Sequence, residues 1–268
     1  MTPDAAFEAA ADAVIDGDET ALKALLAQYP DLIHARSSRH GATLLHYISA
    51  NGVETERQKT PANAVTIARA LLEAGADPNA AAQFYGAPMA TLGLLVSSVH
   101  PHQAGLQARL ANLLLDAGAE DHATLLTALA HGYGDTAEDL ARRLPVDSLP
   151  VAAGLGRLDV FTALWPEAST EARHQAVTLA AMHGHMPILE RLAAAGEDLD
   201  RLNPKGFHSH AAPLHVAVWK GQVATVRWLV EHGARIDIKD NLHGGTPLGW
   251  ARHEGHAAIA RYLESLTI

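Results

Sequence analysis

The chain has 268 residues, with 20 Lys and Arg against 30 Asp and Glu, for a formal net charge of −10. That balance opposes a nucleic-acid partner or an anionic membrane, both of which need a concentrated basic surface. There is no cysteine, so disulfides, thiolate-held zinc and cysteine nucleophiles are excluded and a reducing, cytoplasmic setting is expected.

Aromatic residues make up 5 % of the chain while Ala and Leu abound, a composition suited to many short helices packed closely. Asp4 and Glu8 stand where a secretion signal needs base. No apolar run approaches the roughly 20 residues of a membrane helix. A soluble protein is expected.

In chain order, turns between paired helices are expected at Gly17, Gly52, Val96, Gly134, Gly156, Gly184, Gly221 and Gly255. These define eight helix pairs, the first and last acting as caps. The two short spacings around Gly156 leave no room for hairpins near Pro145–Pro150 and Pro166–Thr170. Near the C-terminus the self-similarity is plain: Pro213 and Pro247 lie 34 residues apart, and so do Gly221 and Gly255. Apolar residues at helical spacing follow each glycine: Val223, Val226, Leu229 and Val230, then Ile259, Tyr262 and Leu263.

The segments Ala212-Pro-Leu-His-Val-Ala and Thr246-Pro-Leu resemble the ankyrin repeat, a unit of about 33 residues whose first helix opens on Thr-Pro-Leu-His. Thr43-Leu-Leu-His46 is a looser match. Leu71-Leu-Glu-Ala-Gly-Ala-Asp-Pro-Asn79 and Leu113-Leu-Leu-Asp-Ala-Gly-Ala-Glu120 resemble the ending of the second helix. The N-terminal half is also similar to bacterial ankyrin-repeat proteins. The resemblance implies an all-α solenoid of about seven to eight helix-turn-helix repeats joined by short β-hairpins or loops, and a binding rather than a catalytic role. Residues 1–40 are read as an N-terminal capping repeat, 41–122 as repeats with long inter-helix insertions, 123–173 as degenerate short repeats, and 174–268 as regular repeats with a C-terminal cap. Thr246 is a suitable helix cap and Pro247 a suitable first helical residue. Leu214 and Leu248 are expected in the core. The resemblance assigns His46 and His215 to ties between neighbouring repeats. Gly75, Gly118, Gly196 and Gly233 are positions for positive φ after a helix.

Departures from the repeat are where function is sought. One inter-helix turn is enlarged at Val53–Asn63 and the next at Val96–Gly105. Stacking would bring Arg57, Gln58 and Lys59 toward His100 and His102, above a floor of Leu94 and Leu95, with Tyr47, Asn51 and Tyr85 nearby. A third departure, Arg201–His210, lengthens the hairpin before the seventh repeat. The inner face beside it should present Met182, His183, Trp219, Lys220, His253 and Glu254. Such a row of aromatic, thioether and charged groups suits a protein interface.

The favoured reading is therefore a protein-binding scaffold that uses the concave face and loops. The alternative is a small-molecule binder or non-redox enzyme of lyase, isomerase or cyclase type, with its pocket between the 53–63 and 96–105 insertions. There His100 or His102 would act as general base, Arg57 or Lys59 would hold an anion, and Tyr85 or Tyr47 would donate a hydrogen bond. His100-Pro-His102, His183-Gly-His185, His208-Ser-His210 and His253-Glu-Gly-His256 each supply two imidazoles, short of the three or four that zinc needs. No metal or cofactor is expected. Gly154-Leu-Gly156 lacks the third glycine and preceding strand of a nucleotide loop.

Overall fold

The computed structural model describes residues 2–266. Its helices gather into two compact units, Met1–Ala128 and Leu129–Ile268. In the first unit, α1 (Pro3–Asp16) and α2 (Glu19–Gln28) form the opening pair, followed by a short 3-10 turn at Pro30–Ile33. Thr2 caps α1 through its hydroxyl, which accepts the Ala5 N–H, and Asp18 caps α2 by accepting from Ala21. Ala6, Phe7, Ala10, Ala11 and Val14 are buried along α1; that spacing is one face of a helix. The next pair is a 3-10 helix, Leu44–Ser49, and α3 (Ala64–Glu73), with the enlarged turn between them holding a further 3-10 turn at Thr55–Arg57. Strands β1 (Ala81–Phe84) and β2 (Ala87–Ala90) pair antiparallel, Ala81 facing Ala90 and Phe84 facing Ala87. They lead into α4 (Thr91–Val96), α5 (Val99–Gln103) and α6 (Gln107–Asp116). Leu22, Leu44, Leu45, Tyr47, Ile67, Leu71, Leu110 and Leu114 are fully buried. They are contributed by successive pairs, so each pair covers the apolar side of the next.

Helix α7 (Thr124–Ala130) carries the chain into the second unit, where α8 (Gly134–Leu140), α9 (Leu149–Gly154), α10 (Leu158–Leu164), α11 (Thr170–His183), α12 (Met186–Ala194), α13 (Pro213–Trp219), α14 (Val223–Glu231), α15 (Pro247–His253) and α16 (Ala257–Glu264) follow. Helix α11 packs against both α9 and α13. It is buried almost all round from Ala176 to Met182, as a helix enclosed on two sides must be. The turn between α7 and α8 falls at Gly132, φ 77°, and Gly134 opens α8, two residues from the expected position.

Hydrogen bonds tie the pairs together. The His46 Nδ1 accepts the Thr43 N–H at 3.1 Å, so its proton sits on Nε2, which donates to the Met89 carbonyl of the following pair at 3.3 Å. His215 repeats the device, accepting from Ala212 N–H at 3.2 Å and donating to the Gly245 carbonyl at 3.1 Å. A second row uses the residue after each turn glycine: His185 donates to the Gly154 carbonyl, Gln222 to Met182 and His256 to Trp219. No helix among the described residues is long and apolar enough to cross a membrane.

Candidate functional site

A cleft of about 640 Å³ lies at the ends of α13 and α15 in the second unit. Two loops build its walls. In residues 238–246, Asp240 is 2 % exposed, and its carboxylate accepts from the N–H groups of Leu242 (2.9 Å), His243 (2.6 Å) and Gly245 (2.8 Å) and from Trp250 Nε1 (2.9 Å). One side chain thus closes the turn and fixes an indole of the cleft. Glycine is needed at 245, because a Cβ there would lie 2.7 Å from Asp240 Oδ2 and 3.0 Å from Trp250 Nε1. These donors hold the Asp240 carboxyl far below the usual carboxylate range against the opposing effect of burial.

The other wall is residues 201–211. Asn203 anchors it: its N–H donates to the Ala211 carbonyl at 2.8 Å and its Oδ1 accepts from buried Thr178 on α11 at 3.0 Å. The loop contains no strand pair; it turns at Pro204–Phe207 and places His208 at φ 57°. The Asn241 N–H donates to the His210 carbonyl at 2.7 Å, which joins the two walls.

Between them the rings form a nearly continuous surface. The His208 ring lies 4.7 Å from that of Trp219 and 6.0 Å from that of His210, and His210 lies 5.8 Å from Trp250. The Lys220 ammonium sits over Trp219, 5.0 Å from the ring centroid, within range of a cation–π attraction. Burial pushes the Lys220 ammonium down from its ordinary value, while Asp135 and Glu254 act from a distance in the other direction. His208 is also lowered by burial, with His131 and His210 adding to the effect. His253 and Glu254 are exposed at the edge of the cleft.

The inner-face residues named from the sequence divide three ways. Trp219, Lys220 and His253 do lie at this cleft or beside it. Met182 does not: it is fully buried in the core cluster of the second unit, because α11 is covered on both flanks. His183 is half-buried, and its Nε2 donates to the Leu129 carbonyl at 2.9 Å. Burial lowers its pKa to about 4, so it is neutral at ordinary pH. Trp250 and Asp240 were not singled out from sequence. The available signal was the acid standing a few residues ahead of Gly245-Thr-Pro-Leu.

In the first unit the two insertions do not assemble the expected cluster. Arg57 turns to α1, donating to Glu8 at 2.8 Å and Asp12 at 2.7 Å, and its guanidinium lies 5.2 Å from the Tyr47 ring centroid. Lys59 is exposed, 4.0 Å from Asp16. Glu8, Asp12 and Asp16 recur every four residues, so they share one face of α1 and draw the basic insertion to that side. Gln58 donates to the Val53 carbonyl within its own loop at 2.7 Å. Leu94 and Leu95 are fully buried rather than an open floor, and Tyr47 is 1 % exposed. His100 and His102 lie on helix α5, where residues two apart point to widely separated directions. Tyr85 tips the β1–β2 turn, 74 % exposed, and its hydroxyl donates to Asn51 Oδ1 at 2.6 Å. Asn51 in turn donates to Ser97 Oγ at 3.0 Å and the Leu94 carbonyl at 3.3 Å. Its side chain thus braces the loop. Among the described residues no group of three or more His, Asp or Glu side chains is arranged to hold a metal.

The family described as ankyrin repeats in three copies matches residues 149–240 and 177–266. Curated relatives share shorter stretches. Mouse ankyrin repeat and SAM domain-containing protein 6 is 31 % identical over 106 residues, covering 40 % of this chain and 12 % of its own length. Mouse protein phosphatase 1 regulatory subunit 27 is 44 % identical over 68 residues, covering 25 % of this chain and 41 % of its own. The potassium channel AKT1 of Arabidopsis thaliana is 34 % identical over 88 residues, covering 32 % of this chain and 10 % of its own. The matched stretch thus spans less than half the length of each relative. Residues 149–266 thus match ankyrin repeats, and the stacked helix pairs and the His215 tie within that stretch agree with the match.

Proposed function

We propose that this chain is a protein-interaction scaffold whose partner docks on the concave face of the C-terminal repeats, in the cleft between Trp219 and Trp250. The observation that carries the reading is the cleft itself. Two indoles and four imidazoles line it, and the Asp240 and Asn203 networks hold both loop walls in place before any partner arrives. Aromatic anchors in a prearranged pocket with a polar rim are what concentrate binding energy at protein interfaces. The regulatory-subunit relative, which shares 44 % identity over 68 residues, is in keeping with a scaffold. The chain is read as a run of seven to eight helix-turn-helix repeats, with residues 1–40 as a cap, 41–122 carrying the insertions, 123–173 shortened, and 174–268 regular.

A partner captured from the source cell by the wild-type chain should be lost with Trp219→Ala. The half-buried position of Trp219 should leave the fold nearly intact, as judged by an unchanged circular-dichroism spectrum and melting profile. Equal capture by the wild type and a folded Trp219→Ala variant would remove the cleft as the interface. The rival reading, a pocket at the two insertions, gains no support from the placements of Arg57, His100 and His102. A metabolite thermal-shift screen in which Lys59→Ala or His102→Ala abolished a hit would revive it.

A further inference from the structure

We propose that Lys220, which packs on Trp219 beside the cleft, receives a carboxylate from an acidic, apolar-flanked peptide segment of the protein partner. This deepens the reading of the cleft as a docking surface and rests on it. The argument is one of unmet charge. The Lys220 ammonium packs against Gly132, where a Cβ would stand 3.0 Å from Nζ, and against the Trp219 face. It has lost much of its water to these neighbours. Asp135 and Glu254 act on it only through space; neither bonds it. A half-buried cation without a bonded anion is an unstable arrangement that a partner's carboxylate would relieve.

The lining of the neighbouring cleft leaves the same opening. Asp240, the buried acid of the cleft, already accepts from four donors, so it has little to offer a partner's cation. His208 and His210 add no negative charge beside Lys220. Glu254 is exposed to water at the rim, where its field is screened more strongly than that of the half-buried ammonium. Beside this charged corner, Trp219 and Trp250 provide apolar surface for the residues on either side of the acid. Lys220 and the two indoles are therefore complementary to a segment in which Asp or Glu alternates with apolar side chains.

The test uses the full chain and three fluorescein-labelled eight-residue probes: alternating leucine and glutamate, the same with glutamine, and the same with lysine. Fluorescence anisotropy at physiological salt should show the glutamate probe binding about tenfold more tightly than either counterpart, the scale of one charge-assisted contact. Lys220→Gln should remove that preference, and Lys220→Arg should retain it. Equal affinities for the glutamate and glutamine probes would overturn the proposal, as would a preference surviving Lys220→Gln. So would free glutarate competing as strongly as the peptide, since that marks a small-dicarboxylate site. Trp219→Ala separates the two levels of inference. If all probes bind alike and Trp219→Ala weakens them all, the docking cleft stands and only the carboxylate assignment falls. If no probe binds, both fall.

Discussion

Leu214→Ala is the sharpest test of how the repeats cohere. Leu214 follows Pro213 at the start of α13 and is fully buried among residues from neighbouring helices. Truncation removes three carbons, a transfer loss of about 2.4 kcal/mol at roughly 0.8 kcal/mol per group. The cavity left behind adds up to about 2 kcal/mol, since helix pairs held on both sides relax only partly. The expected loss is therefore about 2.5–4.5 kcal/mol. Urea unfolding followed by tryptophan fluorescence suits the measurement, because Trp219, Trp228 and Trp250 all report on the unit that contains Leu214. Circular dichroism read in parallel shows whether the helices melt with them. Leu242→Ala, at a leucine 64 % exposed on the turn closed by Asp240, is the control and should change stability by less than about 0.5 kcal/mol. A Leu214→Ala loss below about 1 kcal/mol, or one no larger than the control, would refute the claim that this position is shared core between repeats.

Two further outcomes follow from the buried polar groups. Burial lowers the pKa of His46 to about 4, partly offset by its bond to the Met89 carbonyl. The fold therefore favours the neutral ring. Its contribution is fully present above the ordinary value of about 6.5 and is lost as pH falls from there through about 4, up to about 3 kcal/mol in all. Urea unfolding at intervals from pH 7 to pH 4 should show that decline, weaker in His46→Gln; an NMR titration with half-protonation of His46 near 6.5 would contradict it. Asp240→Ala should cost about 2–4 kcal/mol, because it strands three backbone donors and the Trp250 indole. It should also weaken partner binding by releasing one cleft wall. Wild-type affinity in this variant would show that the turn at 240–245 does not organise the site.

The recurring Pro-Leu helix starts and turn glycines were legible because they answer to local physics. Thr246 caps α15 by accepting from the Gly249 N–H, Pro247 begins the helix, and Gly75, Gly118, Gly196 and Gly233 all take positive φ. His46 and His215 could be assigned from their motif because the same local bond sets the same tautomer each time. The placement of the insertions was less legible. Whether Arg57 met His100 or an acid of α1 depended on which surface the 53–63 loop folded over, and the Glu8, Asp12 and Asp16 face decided it. Likewise α5 turned a proposed pair of histidines into two side chains pointing apart. Met182 and Trp219 both sat at the ends of first helices in the sequence, yet one is enclosed and the other lines a cleft.

The sequence by itself determined the repeating unit and therefore the all-helical class, since caps, turn glycines and helical apolar spacing act over a few residues and need no distant partner. It also placed Trp219, Lys220 and His253 in one neighbourhood. Only the tertiary structure decided that Asp240 reaches across to Trp250, that the 201–211 loop hangs from Thr178, and that Lys220 bonds no anion among the described residues. These features depend on how loops and helix pairs pack against one another, which no pattern within a single helix specifies.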